Sequence, residues 1–340
     1  MDSQGGETPM KRFKSILLVC DDRSSHEDLI GRATWLAKVN GASVTLVDVV
    51  EAAPGELTRL FGSLPGARAH DVEYEVVEFH RERLARLAAP IKADGIETTV
   101  DVLQGIPFVE IIRRVLSRGH DLVMKGTGGA SEGRSPLFAS TDLHLMRKCP
   151  CPVWIMKKSA QRQYARILAA VDPDAHDEQK IALNALIMDL ASSLSKADGS
   201  ALHVVHTWKL DEEDTLRHSG LGRVSKAEVD LLVEARRKRS QAAFEALLER
   251  YPADSADRTP HLLKGPAREL VPELASQLRI ELIVMGTVAR TGIKGLIIGN
   301  TAEAILGQVD CSVLAVKPPG FESPVSLETA EQPALVGLGA

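Results

Sequence analysis

The amino-acid sequence predicts an α/β protein: two tandem doubly wound, Rossmann-like domains, each built on a five-stranded parallel sheet. Three observations carry that reading. The chain repeats itself, its apolar runs alternate between strand-like and helical periods, and the strand-like runs are apolar throughout. Runs of the last kind belong to parallel strands covered by helices on both faces.

The repeat is visible at several landmarks. Ile16-Leu17-Leu18-Val19-Cys20-Asp21 returns 151 residues later as Ile167-Leu168-Ala169-Ala170-Val171-Asp172. Gly105 and Lys157 return as Gly265 and Lys317, an offset of 160. The drift of nine places the extra residues in the middle of the second copy. The copies span residues 11–158 and 164–318, joined by a short polar linker. Residues 1–10 and 319–340 lack periodicity and are expected to be largely disordered.

In the first copy Ile16–Cys20, Val44–Val50, Thr98–Leu103, Asp121–Met124 and Val153–Lys157 read as strands. Between them, Leu29, Ile30, Ala33, Leu36 and Ala37 recur at helical spacing, and Asn40-Gly41 stops that helix. Phe108, Ile111, Ile112, Val115 and Leu116 form a second stripe, and Thr141–Lys148 a short helix. In the second copy Leu183, Leu186, Ile187, Leu190 and Leu194 mark a helix ending near Asp198-Gly199. Ser225 and Glu228 make a capping box for a helix running to about Arg250, and Leu270, Val271, Leu274 and Leu278 mark the next stripe.

Composition narrows the function. The net charge of −5 argues against a dedicated nucleic-acid binder. No apolar run approaches the ~18 residues of a membrane span, and Ser15–Cys20 is too short for the core of a signal peptide. Four cysteines with no C-x-x-C pair give neither a disulfide framework nor zinc-ligand spacing, which fits a reducing cytoplasm.

In an open α/β sheet a ligand lies beyond the carboxyl ends of the strands, where strand order reverses. Two features converge there in each copy. Strand one ends in Asp21 or Asp172, whose carboxylate can accept hydrogen bonds from a base or ribose. Strand four runs into a glycine-containing loop, Gly126 to Thr141 or Gly286 to Thr301. Glycines let backbone approach a phosphate, and the following helix start offers free N–H groups.

These loops carry a resemblance. Gly286-Thr287-Val288-Ala289-Arg290-Thr291-Gly292 with Gly299-Asn300-Thr301-Ala302-Glu303, and Thr141-Asp142-Leu143-His144 with Arg147-Lys148-Cys149-Pro150 and Pro152-Val153-Trp154, resemble the universal stress protein family in its tandem-domain form. The resemblance covers about residues 11–318. It implies a cytoplasmic, non-enzymatic role in surviving stress, including resistance to DNA-damaging agents. It further implies ATP or a related adenine nucleotide as ligand, and pairing of the domains through strand five as an internal pseudo-dimer. Nucleotide-binding members carry G-x2-G-x9-G-[ST], and each copy has lost one glycine. Copy one has Gly126, Gly129, Ala139 and Ser140; copy two has Gly286, Ala289, Gly299 and Asn300.

The candidate ligand residues are therefore Asp172, Gly286, Ala289, Gly299, Asn300 and Thr301 in copy two, and Asp21, Gly126, Gly129, Ser140 and Thr141 in copy one. Copy two is preferred. In copy one Asp142 falls in the first helical turn and competes with a phosphate; in copy two Arg290 and Lys294 favour an anion, although Glu303 can close a capping box on Asn300. Plain helix capping competes for Asn300-Thr301 and Ser140-Thr141, and a turn role for both aspartates.

No nucleophile–base constellation is visible. His203 and His206 lie three apart on a strand and face opposite sides, so they make no metal pair. Cys149 and Cys151 read as buried structural residues in preference to a redox pair, and the basic run Arg236-Arg237-Lys238-Arg239 as a solvated helix face. Two alternatives compete with a ligand-sensing stress protein: slow nucleotide hydrolysis, and carriage of an apolar ligand beneath the long crossovers around 51–95 and 209–260. Expected partners are a small molecule and proteins of unspecified kind, with neither nucleic acid nor membrane. Two chains pairing as a homodimer stays open.

Overall fold

A computed structural model of the chain describes residues 13–21, 26–50, 69–127, 140–157, 163–174, 177–218, 225–251, 258–287 and 299–327. The first copy contains β1 (Ser15–Val19), α1 (Glu27–Asn40), β2 (Ser43–Val50), α2 (Ala69–Ala93), β3 (Thr98–Gln104), α3 (Pro107–Arg118), β4 (Leu122–Gly126), α4 (Ser140–Lys148) and β5 (Val153–Met156). The second contains β6 (Arg166–Ala170), α5 (Glu178–Asp198), β7 (Ala201–Trp208), α6 (Glu213–His218), α7 (Lys226–Glu249), β8 (Arg258–Lys264), α8 (Ala267–Gln277), β9 (Leu282–Gly286), α9 (Asn300–Leu306) and β10 (Ser312–Val316).

Local chemistry explains the element ends. The apolar stripe of α1 stops at Gly41, which adopts a left-handed φ of 58° that other residues rarely take, and Gly199 ends α5 in the same way at 67°. The Ser225–Glu228 capping box opens α7. Pro260 is tolerated inside β8 because that strand is an edge with a free side.

All ten strands form one sheet in the order β3-β2-β1-β4-β5-β10-β9-β6-β7-β8. Neighbours within each copy are parallel, and the copies join where β5 runs antiparallel to β10, with Trp154 opposite Leu314. The two five-stranded sheets expected from the sequence are thus halves of a single sheet. Apolar periodicity marks β5 and β10 as strands, but it cannot say what covers their free edges.

Alternating strand residues feed two cores. Leu18, Leu46, Met124, Trp154, Val204 and Leu314 pack under α1, α2, α5 and α7. Leu17, Val47, Val123, Ile155, Val205 and Val313 pack under α3, α4, α8 and α9. The reversal of strand order lies between β1 and β4 in copy one and between β6 and β9 in copy two.

The start of the C-terminal tail departs from the disorder expected of it. Phe321 lies over Lys317, Val325 packs against the second core, and the main chain of Ser326 accepts a hydrogen bond from Arg113 Nε at 3.2 Å. Residues 1–12 and 328–340 lie outside the described residues.

Candidate functional site

The two reversal points are built on equivalent positions and filled differently. In copy one, Lys125 on β4 stands in register with Val19 on β1, two residues before Asp21. Its side chain is buried, and its ammonium donates to the Gly126 carbonyl at 3.0 Å and forms ion pairs with Asp21 Oδ2 at 2.8 Å and Asp142 Oδ1 at 3.1 Å. Burial disfavours the Lys125 charge, but Asp142 and Asp21 outweigh it and hold the ammonium above its ordinary pKa. Asp142, in the first turn of α4, is fully buried. An internal cation and two carboxylates therefore occupy the mouth of the copy-one sheet.

In copy two the same positions carry no such cluster. Offsets of 151 and 160 bring Asp21, Lys125 and Asp142 onto Asp172, Met285 and Ala302. One carboxylate remains, and the cation and the second acid become apolar. These three residues line a cavity of about 350 Å³ together with Lys180, Gly286, Thr287, Gly299 and Thr301. That volume falls at the lower end of the ~300–1,000 Å³ of small-molecule sites. Its floor is apolar, with Ile187, Val205, Val271 and Ile305.

The framework of this cleft is fixed by hydrogen bonds. Asn184 of α5 holds the main chain of Asp172, accepting from its N–H at 2.9 Å and donating to its carbonyl at 2.7 Å. Thr287 Oγ1 donates to the Met146 carbonyl of copy one at 3.0 Å, so one wall of the cleft is anchored across the seam between copies. Gly299 donates its N–H to the Thr287 carbonyl at 3.1 Å. Behind the cleft, Asp174 Oδ2 accepts from Ser240 Oγ at 2.8 Å, Arg236 at 2.7 Å and His206 Nε2 at 3.2 Å. Burial opposes the charge of Asp174, yet the bonds from Ser240 and Arg236 and the nearby His206 prevail and hold its pKa below the ordinary value.

Of the sequence candidates, Asp172, Gly286, Gly299 and Thr301 meet at this cavity, while Asn300 is the exposed first residue of α9. Ala289 and Gly129, like Arg290 and Lys294, lie outside the described residues. In copy one Asp21 and Gly126 meet at Lys125, whereas Ser140 and Thr141 open α4. Three readings change. The Asn300–Glu303 capping box does not form: Gly299 is the N-cap, without a side-chain cap, and Glu303 pairs instead with Arg147 of copy one. Gly286 gains a packing role beside its loop role, since an added Cβ would stand 2.7 Å from Leu183 Cδ2 and make that side chain turn aside. Arg236, read as solvated, turns inward to Asp174, while Arg237 and Lys238 pair with Glu234 on the helix surface.

Sequence reasoning missed Lys180, Asn184, His206 and the plug residue Lys125. Lys180 and Asn184 could have been found as polar residues one turn apart in the helix that follows strand one. Lys125 was visible as a cation inside an apolar strand. His206 and His203 do point apart: His206 meets Asp174, and His203 Nδ1 lies 3.1 Å from His261 Nε2. Ser240 and His206 share one carboxylate and the hydroxyl donates to it, so the imidazole is not placed to take the serine proton.

Fold and site together define a class: a tandem α/β protein with a cleft at a topological switch point. A model of the "Universal stress protein family" matches residues 12–157 and again 163–317. The chain belongs to the universal stress protein family. It is similar to universal stress protein E of Escherichia coli K12, at 28% identity over 95% of this chain and 99% of that one. Universal stress protein E of Photorhabdus laumondii is 24% identical over 93% of this chain and 98% of its own. Among solved structures, a functionally unknown protein from Pseudomonas aeruginosa aligns with a TM-score of 0.69 at 24% identity, covering 91% of this chain and 94% of that one. A universal stress protein from Archaeoglobus fulgidus aligns at 0.61 and 20% identity, covering 89% and 98%. Both likenesses concern the fold.

Proposed function

We propose that this universal stress protein is a non-enzymatic ligand sensor that binds an adenine nucleotide, ATP or a relative, in copy two alone. The observation that carries the reading is the contrast between the mouths of the repeat. Lys125 bridges Asp21 and Asp142 in copy one, whereas Met285 and Ala302 at the same positions line a cavity in copy two. Asp172 at its rim suits a ribose or base, and Lys180 supplies a positive charge for phosphate. The missing glycine of each loop makes both phosphate sites degenerate relatives of the family pattern. Kinship with universal stress protein E supports the stress role; resistance to DNA-damaging agents and a cytoplasmic setting belong to the same proposal. Among the described residues no helix is long and apolar enough to cross a membrane.

Calorimetric titration of the full chain with ATP tests this. Binding of one nucleotide per chain is expected, weakened at least about tenfold by Lys180→Ala or Asp172→Ala, a loss of ~1.4 kcal/mol, and unchanged by Asp21→Asn. Two equivalents bound, or none, would refute it. Incubation with Mg-ATP is expected to release no phosphate. The apolar floor supports a second reading, carriage of an apolar molecule. Extraction of the purified protein followed by mass spectrometry separates the two.

A further inference from the structure

A second cluster lies away from both clefts, at the seam between copies. The turn from α4 into β5 is Cys149-Pro150-Cys151, and its two sulfurs stand 3.5 Å apart. Cys149 is fully buried and Cys151 half-buried. The repeat brings a lysine to this turn. Lys157, at the end of β5, reaches across the seam, donating to the Asp310 carbonyl at 3.1 Å and pairing with its carboxylate. Its counterpart Lys317, at the end of β10, meets Pro150 where Lys157 meets Asp310. Where Lys157 has a carboxylate, Lys317 has the Cys149-Pro150-Cys151 turn, whose sulfurs act on its charge.

Lys317 is only 4% exposed, and its Nζ has no hydrogen-bond partner among the described residues. It sits 5.4 Å from the ring of Phe321 and lines a cavity of about 340 Å³ with Pro150, Pro152, Asp121, Phe13 and Phe321. A buried ammonium without a hydrogen-bond acceptor is costly unless an anion can form beside it. Burial disfavours the Cys149 thiolate, but the hydrogen bond from Cys151 and the charge of Lys317 overcome this and lower its pKa. The other three thiols are raised: Cys151 by its hydrogen bond with Cys149 and by burial, Cys311 by burial to about 12, and Cys20 by burial and neighbouring Asp48.

We propose that Cys149, Cys151 and Lys317 form a peroxide-responsive dithiol, in which a hydroperoxide oxidises the two cysteines to a disulfide. The proton shared across 3.5 Å lets either sulfur carry the charge. The hydrogen bond with Cys149 and burial hold the Cys151 thiol above its ordinary pKa. The half-buried Cys151 therefore attacks the distal peroxide oxygen through the minor form in which its proton has passed to Cys149. The O–O bond breaks, the alcohol or water leaves with a proton, and Cys151 becomes a sulfenic acid. Cys149 then attacks that sulfur, the S–O bond breaks, and hydroxide leaves with the Cys149 proton as water. One hydroperoxide takes two electrons from the pair. Lys317 is a positioning residue that stabilises the anionic sulfur.

The test uses the full reduced chain with one equivalent of hydrogen peroxide at pH 7, followed by alkylation and tryptic mass spectrometry. Alkylatable thiols are expected to fall from four to two. Peptide 149–157 should appear two hydrogen atoms lighter, and dithiothreitol should restore it. Cys149→Ser should stop the reaction at a Cys151 sulfenic acid trapped by dimedone. Lys317→Gln should slow oxidation at least about tenfold, while Lys317→Arg, which keeps the charge, should stay near the native rate. Four thiols surviving one equivalent, loss of Cys20 or Cys311 at the same rate, or native kinetics in Lys317→Gln would overturn the proposal. The native-chain result stands even where a lysine variant fails to fold.

Discussion

Lys125 and Met285 occupy one position of the repeat and Asp142 and Ala302 another, and these two differences exchange a buried ion cluster for apolar cavity lining. Lys125→Met should leave the fully buried Asp142 without its cation, at a cost of roughly 3–5 kcal/mol measured by urea unfolding. The double variant Lys125→Met/Asp142→Leu should recover most of that loss, because the fully buried carboxylate is then gone and only the partly exposed Asp21 loses this cation. The pH dependence has a definite sign. The Lys125 ammonium is held above its ordinary 10.5, so its contribution persists below pH 10.5 and fades only as pH rises through the higher folded value. Lys317 is the opposite case, pushed down by burial from 10.5 to about 8. Between pH 8 and 10.5 the unfolded chain binds more protons there, so native stability rises with pH through that window. Lys317→Met should therefore be more stable than the native chain at pH 7, by up to about 3 kcal/mol, with the advantage vanishing near pH 10.5. Parallel unfolding curves at pH 7 and 10 would contradict this. Asp142 was legible in the sequence as an acid in a first helical turn. Its partner was not, because a lysine inside a strand declares its face only when β1 and β4 are set side by side.

At the scale of elements, most of the fold was legible because each strand and helix is encoded by its own neighbours. Apolar runs fixed the centres of β1, β2, β4 and β5 to within a residue or two, and the stops at Gly41 and Gly199 follow from left-handed backbone. The candidate loop was harder to read, since glycine there has two explanations. Gly286 fits a phosphate approach, but it also lets α5 seat against β9 through Leu183. Gly286→Ala should cost about 1–3 kcal/mol by forcing Leu183 aside, and Leu183→Ala in the same chain should offset part of that cost. A stability unchanged by Gly286→Ala would restore the phosphate explanation. The α9 cap shows a similar competition: Ser225 and Glu228 cap α7 as their spacing predicts, whereas Glu303 leaves its own helix for Arg147. A tertiary ion pair decided that outcome, and no local pattern contains it.

For the whole molecule, the decisive feature is the junction that turns two repeats into one sheet. β5 and β10 carry only Val, Trp, Ile, Met, Ser, Leu and Ala, so either edge alone would be an uncharged template for pairing with other chains. Around that junction Arg32 of α1 reaches Asp198 at the end of α5 with two bonds of 2.7 Å, and both side chains are almost completely buried. The guanidinium also lies 4.4 Å from the ring of Trp35, 5.1 Å from Trp154 and 5.0 Å from Tyr164. Neither residue stands out in sequence, since they are 166 positions apart and each sits in an ordinary helix. Because one charge comes from each copy, the pair links their stabilities. Arg32→Ala should strand Asp198 and lower the stability of the whole chain by roughly 3–5 kcal/mol, with both copies melting together. Hydrogen exchange followed by mass spectrometry can read this, because β1 and β6 amides report on separate copies. Equal acceleration in both is the outcome expected of a continuous sheet. Acceleration confined to β1 and its neighbours would mean that the copies unfold independently and that the junction only tethers them.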